Sequence, residues 1–181
     1  LRTETSSAFS LDHSKYHLIL HPTSKGSARE WGNENFENLV RLLPKENFTL
    51  YLCGLESDRT KLAPLLEKCD GEHFIDCIGK FNLSTYIDFI QAADGLIANS
   101  TGPLHIAALS NKDAFGIYPP IKPMHPGRWS PIGKNSQVFV LDKSCESCRH
   151  TQEACACMLA IQPMAVAEAI KQARQRKLNK L

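Results

Sequence analysis

Six residues near the middle of the chain, Ser100-Thr101-Gly102-Pro103-Leu104-His105, have the types and spacing best suited to chemistry. They follow an apolar run, Leu96-Ile97-Ala98, that reads as the end of a strand. Proline is at home in the first turn of a helix, where its missing N–H costs nothing, so Pro103 marks a helix start. Such a start leaves unpaired N–H groups and the positive end of the helix dipole pointing at one place, where a phosphate can bind. Gly102 allows close backbone approach, Ser100 and Thr101 offer hydroxyls, and His105 falls in the first turn. A capped helix that binds nothing has the same local pattern, and His105 alone also fits a structural histidine. These six residues by themselves leave both readings open.

The other sharp feature is Cys145-x-x-Cys148 followed by Cys155-x-Cys157. Four thiolates this close could hold a structural zinc in tetrahedral geometry. The second pair is tighter than the usual zinc-knuckle spacing, which favours thiols that are free or disulfide-linked. Cys53, Cys69 and Cys77 sit among apolar residues and read as small core side chains. An odd total of seven cysteines argues against a fully paired secreted scaffold and for a reducing compartment.

The elements that must position these residues alternate between β-rich runs and helical stripes. Strands are expected at 16–21, 48–53, 73–76, 95–98, 114–118 and 137–140. Between them, Phe36, Leu39, Val40 and Leu43 recur at helical spacing, with Asn33 as N-cap and Pro44 just past the end. Leu62, Leu65, Leu66 and Cys69 form a second stripe with Pro64 in its first turn, and Leu83, Tyr86, Ile87 and Ile90 a third. Val166, Ala169, Ile170 and Ala173 share one face of a last helix. This alternation predicts an α/β fold, a Rossmann-like parallel sheet with helices on both faces, whose ligands bind at the carboxyl ends of the strands. Residues 1–15 are polar and aperiodic and read as a linker or domain edge, leaving 16–181 as one domain.

Composition narrows the function classes. The chain has 181 residues and a net charge of only +2, from 21 basic and 19 acidic side chains. That balance does not suit a general nucleic-acid binder, and the basic run 171–177 reads as the solvated end of a helix. No apolar run is long enough to cross a bilayer.

The segment Asn99-Ser-Thr-Gly-Pro-Leu-His-Ile-Ala-Ala108 resembles the signature of glycosyltransferase family nine, the ADP-heptose:lipopolysaccharide heptosyltransferases. Other loops match in order. His21-Pro22-Thr23-Ser24 with Arg29-Glu30-Trp31 resembles the family's first donor loop, and Gly79-Lys80-Phe81-Asn82-Leu83 the segment before its next helix. Tyr118-Pro119-Pro120 and Arg128-Trp129-Ser130-Pro131-Ile132-Gly133 resemble its later loop. The resemblance implies the carboxyl-terminal half of a two-domain GT-B enzyme, which binds the nucleotide sugar. An upstream domain would then bring the acceptor and the catalytic carboxylate, so no catalytic base is expected in this chain; its start at Leu1 agrees with such a half.

The resemblance also implies roles. Amides around Thr101, Gly102, Pro103 and Leu104 would hold the diphosphate, with Thr23 and Ser24 donating hydroxyl hydrogen bonds. Arg29 would stabilise the leaving nucleoside diphosphate in place of the family's usual Lys. Glu56, with Asp58 as a close competitor, would accept from ribose hydroxyls; Phe81 would pack on the base; His105 would support the phosphates or the sugar. Ser100 stands where the family usually has Asp, which leaves the donor sugar and base open. The implied reaction is inverting transfer of a sugar, heptose foremost, from a nucleoside-diphosphate sugar to a lipid-linked glycan, with no cofactor and no catalytic metal. The implied partners are that donor and acceptor, with no nucleic acid. The implied place is the cytoplasm, at the inner face of the inner membrane, with peripheral membrane association. The alternatives are a non-catalytic nucleotide-sugar-binding module and a GT-B-like UDP-sugar epimerase.

Overall fold

In the computed structural model, which describes residues 9–122, 124–141 and 155–179, the apolar runs become the strands of one sheet. They are β1 (Tyr16–His21), β2 (Phe48–Leu52), β3 (Phe74–Asp76), β4 (Gly95–Asn99), β5 (Asp113–Ile117) and β6 (Ser136–Phe139). All are parallel, in the order β3-β2-β1-β4-β5-β6. Parallel neighbours need crossovers, and helices supply them. These are α1 (Asn33–Leu42), α2 (Ala63–Leu66), α3 (Leu83–Ala92), α4 (Gly102–Leu109), the single turns α5 (Pro126–Trp129) and α6 (Ala156–Leu159), and α7 (Pro163–Leu178).

The sheet is buried on both faces, which is why its strands read as near-continuous apolar runs. One face carries Leu18, Leu20, Leu50 and Leu52 under α1 and α7, closed by Trp31, Phe36, Val166 and Ile170. Burying a side chain such as Val166 or Ile170 contributes roughly 1.5–3 kcal/mol. The other face carries Ile19, Leu96 and Ala98 under α3 and α4, with Phe89, Leu104 and Ala107. Phe9 joins this second core, with its ring centroid 4.9 Å from that of Phe89.

The structure corrects two local expectations. Gly32, not Asn33, is the N-cap of α1, at φ 92°; Asn33 lies inside the helix and its side chain donates to the Lys61 carbonyl at 2.7 Å. Leu83 was expected on the apolar stripe of α3 but is 70% exposed, because Phe89 and Ile90 supply that helix's buried contacts. The helix is capped by Asn82, whose side chain accepts the Thr85 amide at 2.9 Å.

The strand order reverses between β1 and β4. From β1 the chain winds outward through β2 and β3, then returns to β4 on the other side of β1 and winds the opposite way through β5 and β6. In open sheets of this kind the loops leaving such a pair part and form a crevice. The β1 loop (Pro22 to Gly32) and the start of α4 meet there.

Candidate functional site

The crevice is held open by buried polar groups rather than by packing alone. Asn99, the last residue of β4 and fully buried, accepts the Trp31 amide at 3.0 Å and donates to the Pro22 carbonyl at 2.7 Å. The Trp31 indole donates to Ile161 at 2.9 Å and anchors the far end of the same loop. Within the loop, Glu30 accepts from the Ser24 amide and hydroxyl at 2.9 and 3.1 Å and pairs with Lys61. Lys25 and Gly26 both take left-handed conformations, φ 49° and 79°, and turn the chain sharply at the rim.

Two cavities meet at the start of α4. The first, about 340 Å³, is lined by His21, Thr23, Lys25, Leu55, Asp58, Phe81 and Tyr86 among others. The second, about 430 Å³, is lined by Ala28, Ser100, His105, Met124 and Trp129. Ser27, Thr101 and Gly102 line both.

The helix start between them lacks a side-chain cap. Thr101 occupies the N-cap position, but its hydroxyl donates to the Asn99 carbonyl at 3.2 Å and caps no amide. The Leu104 amide bonds Thr101 at 3.2 Å, and Pro103 has none. A methyl added at Gly102 would meet no atom within 4 Å. The positive end of an eight-residue helix therefore opens onto the junction of the two cavities. The Leu104 side chain points the other way and is fully buried in the second core.

The other expected residues fall as follows. Thr23 and Ser24 lie at the first cavity, but their hydroxyl protons are committed inside the protein. Thr23 donates to Asp58 at 2.9 Å and Ser24 to Ala28 at 2.8 Å, so both hold the loop shape. Of the two competing carboxylates, Asp58 lines the cavity and accepts the Leu55 amide at 2.9 Å. Glu56 is exposed, paired with Arg59 at 2.8 Å, and packs over Gly79. Phe81 lines the cavity while stacking on Phe89, with centroids 4.9 Å apart. Arg29, half-buried, lies outside the lining of both cavities, whereas Lys25, which the sequence did not single out, lines the first.

Ser100 lines the second cavity. The loop that walls it is held by the Tyr118 hydroxyl, which donates to the Trp129 carbonyl at 2.6 Å. Burial dominates the Tyr118 phenol and raises its pKa above the ordinary value. At the floor of the first cavity burial pushes His21 down to about 4, so the ring is neutral. Its Nδ1 lies 3.0 Å from the Tyr86 hydroxyl.

Cys145 and Cys148 lie outside the described residues, while Cys155 and Cys157 are buried in the first core. Among the described residues no group of three His, Cys, Asp or Glu side chains is placed to hold a metal.

Residues 2–159 match the family described as glycosyltransferase family 9 (heptosyltransferase). The chain belongs to glycosyltransferase family 9. It is 25% identical over 103 residues to lipooligosaccharide heptosyltransferase 2 of Haemophilus influenzae, covering 55% of this chain and 30% of that protein. It is 24% identical over 126 residues to lipopolysaccharide heptosyltransferase 2 of Escherichia coli K12, covering 67% and 36%. Among solved structures, E. coli ADP-heptose lps heptosyltransferase II superimposes with a TM-score of 0.76 at 20% identity, over 93% of this chain and 49% of that one. E. coli heptosyltransferase WaaC with ADP gives 0.67 at 16% identity, over 88% and 45%. The family chain thus spans about half the length of these structures and shares their Rossmann-like α/β fold, the fold of GT-B enzymes. Among its described residues no helix is long and apolar enough to cross a membrane.

Proposed function

We propose that this chain is the donor-binding part of a glycosyltransferase that moves a sugar, heptose foremost, from a nucleoside-diphosphate sugar to a lipopolysaccharide-type acceptor. One observation carries the reading: two cavities joined at an uncapped helix N-terminus, sharing Ser27, Thr101 and Gly102. A nucleotide sugar has the matching plan, with a nucleoside on one side of a diphosphate and a sugar on the other. The nucleoside takes the first cavity, with its base against Phe81 and its ribose toward Asp58 or Glu56. The diphosphate sits at the Gly102 amide, and the sugar takes the second cavity beside Ser100, His105 and Trp129.

The chemistry asked of this chain is to receive a leaving group. As the bond between the anomeric carbon and the phosphate oxygen breaks, negative charge builds on the diphosphate. The α4 terminus and Lys25, which lines the first cavity, offset that charge. The carboxylate that deprotonates the acceptor, with inversion at the anomeric carbon, belongs to a further domain. The reaction needs no metal or other cofactor, and its place is the cytoplasmic face of the inner membrane.

Calorimetric titration of the protein with ADP, UDP and GDP tests the reading. Binding of at least one, with ADP foremost, is expected; binding of none overturns it. A non-catalytic nucleotide-sugar-binding module would bind equally, and sugar transfer by the longer protein separates the two.

A further inference from the structure

Beneath the first cavity, the carboxyl ends of β1, β2 and β3 bring His21, Cys53 and Cys77 together. His21 meets Tyr86 of α3 at 3.0 Å, and Tyr86 packs against the core that holds both cysteines.

Cys53 and Cys77 are also neighbours by sheet register. Leu52 pairs with Asp76, and the Cys77 amide donates to Leu52 at 2.9 Å, so the next pair along β2 and β3 is Cys53 with Cys77. Adjacent strands lie about 4.8 Å apart, within the Cα separation that a disulfide spans. Both side chains face the same core, and both are reduced thiols. Cys53 lines the first cavity, and Cys77 is 7% exposed.

We propose that Cys53 and Cys77 form a reversible peroxide-sensitive disulfide whose closure deforms the cavity floor and weakens nucleotide binding. Cys77 reacts first, because the neighbouring Cys53 thiol and Lys80 hold its thiol below the ordinary range, whereas burial raises that of Cys53. The Cys77 thiolate attacks one oxygen of hydrogen peroxide, breaking the O–O bond to give a sulfenic acid and hydroxide. Cys53 then attacks the Cys77 sulfur, an S–S bond forms as the S–O bond breaks, and hydroxide leaves. The two thiol protons convert both hydroxides to water; the two thiols have lost two electrons and the peroxide has gained them. Closure draws Cys53, which lines the cavity beside Tyr86, toward β3 and so shifts the cavity floor. That last consequence rests on reading the cavity as a nucleotide site; the bridge itself does not.

The test treats the protein with hydrogen peroxide, blocks remaining thiols and maps disulfide peptides by mass spectrometry, with ADP affinity measured before oxidation, after it and after dithiothreitol. A Cys53–Cys77 peptide is expected, with affinity falling about tenfold and returning on reduction. In Cys53→Ser, a sulfenic acid on Cys77 should be trapped by dimedone, and in Cys77→Ser peroxide should no longer change ADP affinity. Absence of the bridged peptide, or a bridge with unchanged ADP affinity, overturns the proposal. A reduced protein that binds no nucleotide contradicts the donor-site reading instead, while the mapped peptide still decides the bridge.

Discussion

The Thr23 hydroxyl donates to the Asp58 carboxylate at 2.9 Å and so ties the loop after β1 to the loop after β2. The bond is buried and its acceptor is a carboxylate, so it is stronger than a neutral hydrogen bond. Thr23→Val keeps the shape and removes the donor, which should cost roughly 1.5–3 kcal/mol. Thr23→Ser should recover most of that. Urea midpoints at unchanged m-value measure both, and a neutral Thr23→Val would show that the brace contributes nothing.

Asn99 makes a stronger demand. It is fully buried and satisfies the Trp31 amide and the Pro22 carbonyl at once. Asn99→Ala strands both backbone groups and should destabilise by about 2–4 kcal/mol. Asn99→Asp keeps the acceptor for Trp31 but sets a carboxylate oxygen against the Pro22 carbonyl, so it should not rescue. Thermal unfolding of the three proteins checks the order.

Acid stability should show His21. Its folded pKa is about 4 against an ordinary 6.5, so between those values the unfolded chain binds the proton that the folded one refuses. Stability therefore falls as pH drops from about 6.5 and levels off below about 4, by about 3 kcal/mol. Carboxylates such as Asp70, held low by the Phe74 amide, add their own loss only as pH falls below the ordinary value of 3.8. His21→Gln should flatten the limb between pH 6.5 and 4; an unaltered limb would place the titration elsewhere.

Ser100 and Lys25 separate the two cavities. Ser100→Ala removes a hydroxyl from the wall of the second cavity. It should weaken a nucleotide sugar more than the free nucleoside diphosphate. Lys25→Ala should weaken both alike, about tenfold at low salt and less at high salt. Competition titrations of ADP against its sugar conjugate distinguish these patterns.

The sheet was legible because strands buried on both faces leave unbroken apolar runs, as in Leu18-Ile19-Leu20 and Leu50-Tyr51-Leu52. The α4 start was legible because Pro103 and Gly102 mark it chemically. Side-chain partners were not. Nothing in the spacing says that Thr23 spends its proton on Asp58, or that Asn99 accepts the Trp31 amide, since those pairs meet only after β1, β2 and β4 align. Glu56 and Asp58, two residues apart, differ in burial because a 3-10 turn at Glu56–Asp58 rotates one inward. Lys25 was missed because an exposed loop lysine carries no local mark of the cavity beside it.

Gly102 tests the central claim most directly, because a methyl there meets no protein atom yet projects where the two cavities join. Calorimetry of Gly102→Ala with ADP should show affinity reduced at least about tenfold. Its thermal stability should stay equal or rise, since alanine is the better helix former by about 0.5–1 kcal/mol. Unchanged ADP affinity in a folded Gly102→Ala protein would contradict a diphosphate held at the start of α4.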